Sequence, residues 1–431
     1  MTAANQWVCE PSGQSGLGYD KSNGRAERRS LVAQTAPSKP RLLVLGSTFP
    51  ARPNDGTPAF VLDLALQEAA RFDVTVLTPM VAGAAASETI EGPHGGIRVV
   101  RYRYFLKRFE DLADGAILDN LKARKSRYLQ VLPLVLGLWR AVRAQLRSTA
   151  GAPDVIHAHW VIPQGIVAAL AAPKTPLLIT THGGDIYALN AAPVLALKRW
   201  VFGRARRVTT VNSEMKAKLV SFGLPEDKVR VLPMGVDTAT GAALAKAATK
   251  RPGQLLVVGR LVEKKGIAYL FEALRTRGLA DRVTVKVIGD GPLRAELESQ
   301  AAALPVEFLG QRGRSEVLAA IAESELMLIP SVTAESGDQE GLPVTLLEGG
   351  AGGVCVIASN LPGINEVIVS GDSGLLVPQR DVPALAAAIE KCLDDPQLRT
   401  RLAAGVAKSV ARFDIATIGS AYCDELEKAR N

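Results

Sequence analysis

Two carboxylates, Glu340 and Glu348, bracket the apolar run Gly341-Leu342-Pro343-Val344-Thr345-Leu346-Leu347. Acids are seldom set into such a segment without a partner or a ligand. Pro343 suits the first turn of a helix, and Leu342, Leu346 and Leu347 give that helix an apolar face. The spacing predicts Glu340 in the loop at the helix mouth and Glu348 about two turns further in. Acceptors held this way at the lip of a cleft suit sugar and ribose hydroxyls. A helix-dipole acid followed by a salt-bridged core acid would use the same residues.

Other reactive types fall just after strand-like runs. Gly259-Arg260-Leu261-Val262-Glu263-Lys264-Lys265-Gly266 carries a planar guanidinium and a compact ammonium, a pair matched to a diphosphate. Gly266 would open a helix whose first amides also favour anions; a basic loop that merely caps the helix reads the same. It is not a P-loop, because no G-x-x-x-x-G-K-[ST] is present. Ile288-Gly289-Asp290-Gly291-Pro292 is a turn that admits close backbone approach, with Asp290 as a candidate helix cap. Three of the four histidines, His157, His159 and His182, stand at strand ends, and His182 is followed by Gly183-Gly184. His157-x-His159 lacks a third ligand at useful spacing, so no metal site is expected.

The elements that must position these residues alternate strand and helix. Arg41–Gly46, Val74–Leu77, Asp154–His159, Leu177–His182, Arg207–Val211 and Val229–Leu232 form one series of apolar strands. After a pause near Met234-Gly235-Val236-Asp237 and an Ala- and Thr-rich stretch that reads as a linker, a second series starts at Gln254. Continuous apolar strands separated by helices predict parallel sheets covered on both faces. The fold class is therefore α/β, with two doubly wound domains and a cleft between them. The expected boundaries are a disordered extension over residues 1–40, a first domain over 41–237, a second over 238–412, and a last segment, 413–431, whose helix can return to the first domain. Residues 82–129 read as a long loop that sets the acceptor.

Composition narrows the class. No run of 18 apolar residues occurs. Residues 1–40 hold no apolar core of a signal peptide, and four cysteines without metal-like spacing fit a reduced, cytoplasmic setting. The net charge is +8, and residues 98–147 alone hold twelve Lys/Arg against four Asp/Glu. Aromatic residues are interleaved there, as on surfaces that meet anionic membranes. No nucleic-acid motif accompanies the charge. A solvated helix face reads the same way for any one stretch.

Together these residues resemble the retaining glycosyltransferases of family four, whose two-Rossmann architecture is called GT-B. The second half is similar through Val258-Gly259-Arg260…Lys265-Gly266, Ile288-Gly289-Asp290-Gly291-Pro292, Glu340-x7-Glu348 and Gly363-x-x-Glu366-Val367. The first half is similar through Gly46…Gly56, His157-x-His159, His182-Gly183-x-Asp185 and Met234-Gly235-Val236-Asp237. The Gly337-Asp338-Gln339 insert before Glu340 resembles the subgroup that builds bacterial exopolysaccharides such as colanic acid.

The resemblance implies a hexosyltransferase whose donor is a UDP- or GDP-sugar, with no other cofactor and no metal. Arg260 and Lys265 would hold the diphosphate, with the amides of Gly341 and Leu342 and the Gly56 loop on the same side. Glu348 would accept from the ribose hydroxyls. Glu340 would position the transferred sugar and His182 would contact it or the acceptor near the reacting carbon. The acceptor would be a saccharide or lipid-linked saccharide, met in the cytoplasm or peripherally at the inner membrane face. Two other readings stay open: a nucleotide-sugar 2-epimerase of the same architecture, and a pseudo-transferase without turnover. The run Gly349-Gly350-Ala351-Gly352-Gly353, where the family usually has Ala after Glu348, weakens a helix and favours the latter.

Overall fold

The computed structural model describes residues 39–431 apart from 53–54, 116, 150 and 188–189, and omits the side chains of 118, 119 and 122. The expected disordered extension lies outside the described residues except at its last two positions.

Eight strands form the first sheet: β1 (Arg41–Leu45), β2 (Asp73–Pro79), β3 (Ser87–Ile90), β4 (Ile97–Tyr102), β5 (Val155–His159), β6 (Leu177–Thr180), β7 (Arg207–Thr210) and β8 (Val229–Val231). Their order is β3-β4-β2-β1-β5-β6-β7-β8, with β3–β4 antiparallel and the other pairs parallel. The second sheet holds β9 (Arg251–Val258), β10 (Thr284–Ile288), β11 (Val306–Gly310), β12 (Ser324–Ile329), β13 (Cys355–Ser359) and β14 (Leu375–Val377). Its order is β11-β10-β9-β12-β13-β14, parallel throughout. Central strands such as Leu42–Leu45 and Cys355–Ser359 are buried along their length, as sheets covered on both faces require.

Strand order reverses between β1 and β5 in one sheet and between β9 and β12 in the other. Such switch points open crevices at the carboxyl ends of the strands, where ligands bind. The Gly259–Gly266 loop follows β9 and the Pro330–Pro343 loop follows β12, so the candidate donor residues flank the second crevice.

Three expectations are corrected. The Ala- and Thr-rich stretch is no linker: Thr238–Ala247 is a helix capped by the Asp237 side chain and packed on helices Arg314–Glu323 and Val344–Ala351. Residues 82–129 are not one loop, because they hold β3, β4 and the helix Ile117–Ala123. Asp290 does not cap a helix: it accepts from the Gly291 amide at 2.7 Å and pairs with Arg294, while Leu293 stands at the N-cap.

At the end of the chain, helices Val382–Asp394 and Pro396–Val410 pack on the second sheet's domain, and Ile415–Arg430 crosses to helix Phe60–Glu68 and strands β5 to β7. At the crossing the Val236 amide donates to the Phe413 carbonyl and the Val236 carbonyl accepts from the Ile415 amide, each at 2.9 Å. Glu425, fully buried, is held by Arg207 at 2.7 Å and Arg230 at 2.6 Å. Burial opposes its ionisation, but these cations and Lys428 prevail and bring it down to about 2. Tyr422 donates to the Leu232 carbonyl at 2.7 Å.

Candidate active site

The diphosphate candidates sit where two turns interlock. A side chain at Gly289 would run into the Gly259 carbonyl, and one at Gly291 would meet Leu261. The amides of Gly259 and Leu261 donate to Ile288 and Asp290 at 2.9 Å. The Gly-Asp-Gly turn thus shapes the Arg260 loop instead of presenting Asp290 to the cleft. Past that loop, Gly266 at φ 62° caps the helix Ile267–Leu274.

Lys265 Nζ lies 3.1 Å from Glu340 Oε1, and Lys264 Nζ lies 3.1 Å from Asp338. Arg260 is exposed beside them, within electrostatic reach of both acids. Glu340 is 8% exposed. Burial alone would raise its pKa, but Lys265, Lys264 and Arg260 together lower it below the usual carboxylate value. Glu340 is therefore an ionised acceptor in a basic pocket.

The helix after it is Val344–Ala351, with Pro343 at the N-cap and not inside the first turn. Glu348 consequently stands just past the first turn, less deep than the spacing predicts. Burial pushes it up to about 7, with Arg314 opposing and Asp63 adding to the rise. The helix runs on through Gly349 and Gly350 and ends with Gly352 as its C-cap. A Cβ at Gly349 would lie 2.6 Å from Met327 Sδ, and one at Gly350 2.5 Å from Val410 Cγ2. The glycine run is a packing requirement of this helix against β12 and helix Pro396–Val410, so it no longer favours loss of function.

From the first domain, His182 reaches the same loop. Gly183, at φ 105°, brings its backbone so close that a Cβ there would lie 3.4 Å from the Gly341 amide nitrogen. Asn212 Nδ2 donates to the Gly341 carbonyl at 2.7 Å. Leu342 is partly buried against the cores of both domains. His182 Nε2 lies 3.1 Å from His159 Nδ1, and the His182 amide donates to Asp185 at 3.0 Å. Its ring is wedged between Phe60 and Trp160, 5.1 and 4.5 Å away by centroids. Burial, with His157 adding, lowers the His182 pKa to about 3. The ring keeps some exposed surface, which tempers that shift without changing its direction. His157 is committed elsewhere, 2.7 Å from both Glu68 Oε1 and Thr180 Oγ1 in the core.

Gly56 is placed against Gln311 and Arg312 of the second domain, where a side chain would run into Gln311. The structure thus brings Arg260, Lys265, Glu340, Gly341 and His182 together, puts Glu348 one helical turn on, and sets Gly56 at the β11 side of the cleft. Sequence reasoning missed Asp63 and Arg314 beside Glu348, and Gln339, which donates to Glu214 across the cleft at 3.0 Å. Long-range pairs of this sort leave no local signal. His159 was visible as a strand-end histidine and in the His157-x-His159 motif, without a role toward His182.

Comparison with known proteins adds identity to geometry. Residues 54–240 match the model described as Glycosyltransferase Family 4, and residues 244–408 match Glycosyl transferases group 1. The chain carries both of these glycosyltransferase domains. A putative colanic acid biosynthesis glycosyltransferase of Salmonella typhimurium is 32% identical over 55% of this chain and 60% of its own length. The chain thus spans less than two thirds of that relative. Among solved structures, a sucrose-phosphate synthase from Thermosynechococcus elongatus superposes with TM-score 0.72 at 19% identity, covering 90% of this chain and 99% of its own. The Anabaena protein HepE in complex with UDP-glucose gives 0.64 at 20% identity, covering 90% and 99%. The fold of this chain is GT-B, two Rossmann-like domains flanking a cleft.

Proposed function

We propose that this protein transfers a hexosyl group from a nucleoside-diphosphate sugar to a saccharide or lipid-linked saccharide in polysaccharide or glycolipid synthesis, with retention of anomeric configuration. The observation that carries the reading is the basic pocket at the β9/β12 switch point, where Arg260, Lys264 and Lys265 surround ionised Glu340. In this reading Arg260 and Lys265 hold the diphosphate and neutralise charge as it leaves, so that no metal is required. Glu348 accepts from the ribose. Glu340 holds hydroxyls of the transferred sugar, the amides of Gly341 and Leu342 add donors, and His182 contacts sugar or acceptor as a neutral imidazole. The leaving phosphate assists the incoming hydroxyl, which keeps that step free of a protein base. The Gly56 loop closes the phosphate side from the first domain.

The donor class is supported by the neighbour solved with UDP-glucose, and the product class by the colanic acid relative. Among the described residues no helix is long and apolar enough to cross a membrane. In this reading a lipid-linked acceptor is met from the cytoplasmic side, by peripheral contact.

The test is a transfer assay with a panel of UDP- and GDP-hexoses and membrane-extracted acceptors, comparing wild type with Glu340→Gln. Release of nucleoside diphosphate that Glu340→Gln abolishes supports transfer. Equal release by both proteins contradicts it. Interconversion of the donor sugar without release would establish the epimerase, and binding without either reaction the pseudo-transferase.

A further inference from the structure

Apolar surface is concentrated in one region of the first domain. Of twelve exposed large hydrophobic side chains among the described residues, eight lie between positions 106 and 139. Helix Val131–Leu146 explains half of them. Leu134, Leu138 and Val142 face the core, as one apolar stripe should. Yet Leu132, Leu136 and Trp139, spaced at four and three residues on the other side, are 66%, 42% and 42% exposed. The first half of this helix is apolar on both sides, whereas a helix at a water boundary carries polar residues outward. Arg140 and Arg143 continue the outer stripe, and Arg143 lies over the Trp139 ring at 6.0 Å.

A second apolar edge adjoins it. Gln130 accepts from the amides of Asp111 and Leu112 at 3.3 and 3.1 Å, and Arg127 binds Asp111 at 3.0 Å. These bonds draw the turn Leu106-Lys107-Arg108-Phe109 alongside Tyr128 and Leu129, all exposed. From residue 120 to 153 there are seven Lys/Arg and no acid.

We propose that this face, from the Leu106–Phe109 turn to the outer side of helix Val131–Leu146, docks on an anionic lipid bilayer. Aromatic and aliphatic side chains enter the headgroup boundary while the flanking cations meet anionic lipid. The charge selects this occupant. A second copy would set the same net-basic face, nine Lys/Arg against four Asp/Glu over residues 106–147, against itself, and residues 1–38, with four basic and three acidic side chains, offer no complement. The turn follows β4, whose carboxyl end lies on the same edge of the sheet as His182. Docking thus sets the cleft edge near the headgroups. The inference deepens the acceptor side of the proposed function, and rests on it only for the lipid-linked nature of that acceptor.

The test is co-sedimentation of the full chain with vesicles of phosphatidylcholine alone or mixed with phosphatidylglycerol. Binding is expected only to the mixed vesicles and should fall with added salt. Neutralising Lys107 and Arg108 together to Ser should weaken it about thirty-fold, roughly five-fold per cation. Leu136→Ser with Trp139→Ser should also reduce it, while Val369→Ser, on the other domain, should not. Nucleotide-induced thermal stabilisation, measured on every variant, reports folding and the donor site separately. Its loss in wild type would count against the proposed function and leave vesicle binding to be read alone. Absence of binding to anionic vesicles, or binding indifferent to both double substitutions, would overturn the proposal. So would a dimer that Leu136→Ser dissociates, or vesicle binding that appears only once residues 1–38 are removed.

Discussion

Arg314 Nη1 lies 2.7 and 2.8 Å from the two carboxylate oxygens of Asp63, joining the second domain to the first beside Glu348. This ion pair crosses the cleft at the acid proposed to bind ribose. Arg314 is thus the cation that restrains both carboxylates, since Asp63 and Glu348 are each raised by burial and lowered by Arg314.

Removing that cation should be felt twice. Arg314→Ala leaves Asp63 and Glu348 facing each other without compensation. Both members of the pair keep some solvent contact, so the loss should fall between surface and buried values, about 1–2 kcal/mol in urea unfolding. Nucleotide affinity should fall as well, because Glu348 then holds its proton more tightly. Unchanged affinity would detach Arg314 from the site.

Glu348 gives the pH dependence. Its folded pKa, about 7, lies above the usual 4.5. It therefore contributes stability that is fully present below pH ~4.5 and lost as pH rises through ~7. Glu348→Gln, which mimics the neutral acid, should match wild type at low pH and exceed it in stability above neutrality. Nucleotide binding should run the other way, strengthening from pH 6 to 8 as the carboxylate becomes a full acceptor, and Glu348→Gln should flatten that profile. Calorimetric titration at several pH values reads both signs.

His182 should not titrate in the working range, since burial holds it neutral. Removing one contact made in the transition state costs about 10²-fold in rate, so His182→Ala should lose transfer by roughly that factor with little change in nucleotide affinity. His159→Ala, which removes the ring 3.1 Å away, should produce a smaller loss by freeing the His182 side chain. A His182 NMR resonance, assigned by its absence in His182→Ala, that shifts between pH 6 and 7 would contradict the neutral assignment.

The glycines after Glu348 make a prediction about packing. Ala at position 350 gains about 1 kcal/mol of helix propensity, but its Cβ would lie 2.5 Å from Val410 Cγ2. Overpacking of 1–3 kcal/mol should outweigh the gain, so Gly350→Ala should be destabilising. Combining it with Val410→Ala should recover much of the loss, which a double-mutant cycle measures.

Apolar strand runs made both sheets legible, and the positions of Arg260, Lys265 and Glu340 after β9 and β12 followed from them. The β3–β4 hairpin was not seen, because Ser87–Ile90 is a half-exposed edge strand with little apolar content. Thr238–Ala247 has Leu244 as its one large apolar side chain and read as linker, yet its small residues serve contact: a Cβ at Gly241 would lie 2.8 Å from Ala351. The glycine run misled for the same reason. Small residues look weak along the chain and are explained only by the neighbour that fills their space. Asp63 and Arg314, 251 residues apart, could be joined only by the fold.

The most direct test of the donor site is a thermal-shift titration with UDP, GDP, ADP and dTDP on wild type, Arg260→Ala and Glu340→Gln. One nucleotide at about 100 times its dissociation constant should add roughly 2.7 kcal/mol of stability to wild type. Arg260→Ala should lose that response, and Glu340→Gln, which touches the sugar and not the nucleotide, should keep most of it. No stabilisation of wild type by any of the four, or an undiminished response in Arg260→Ala, would contradict the account.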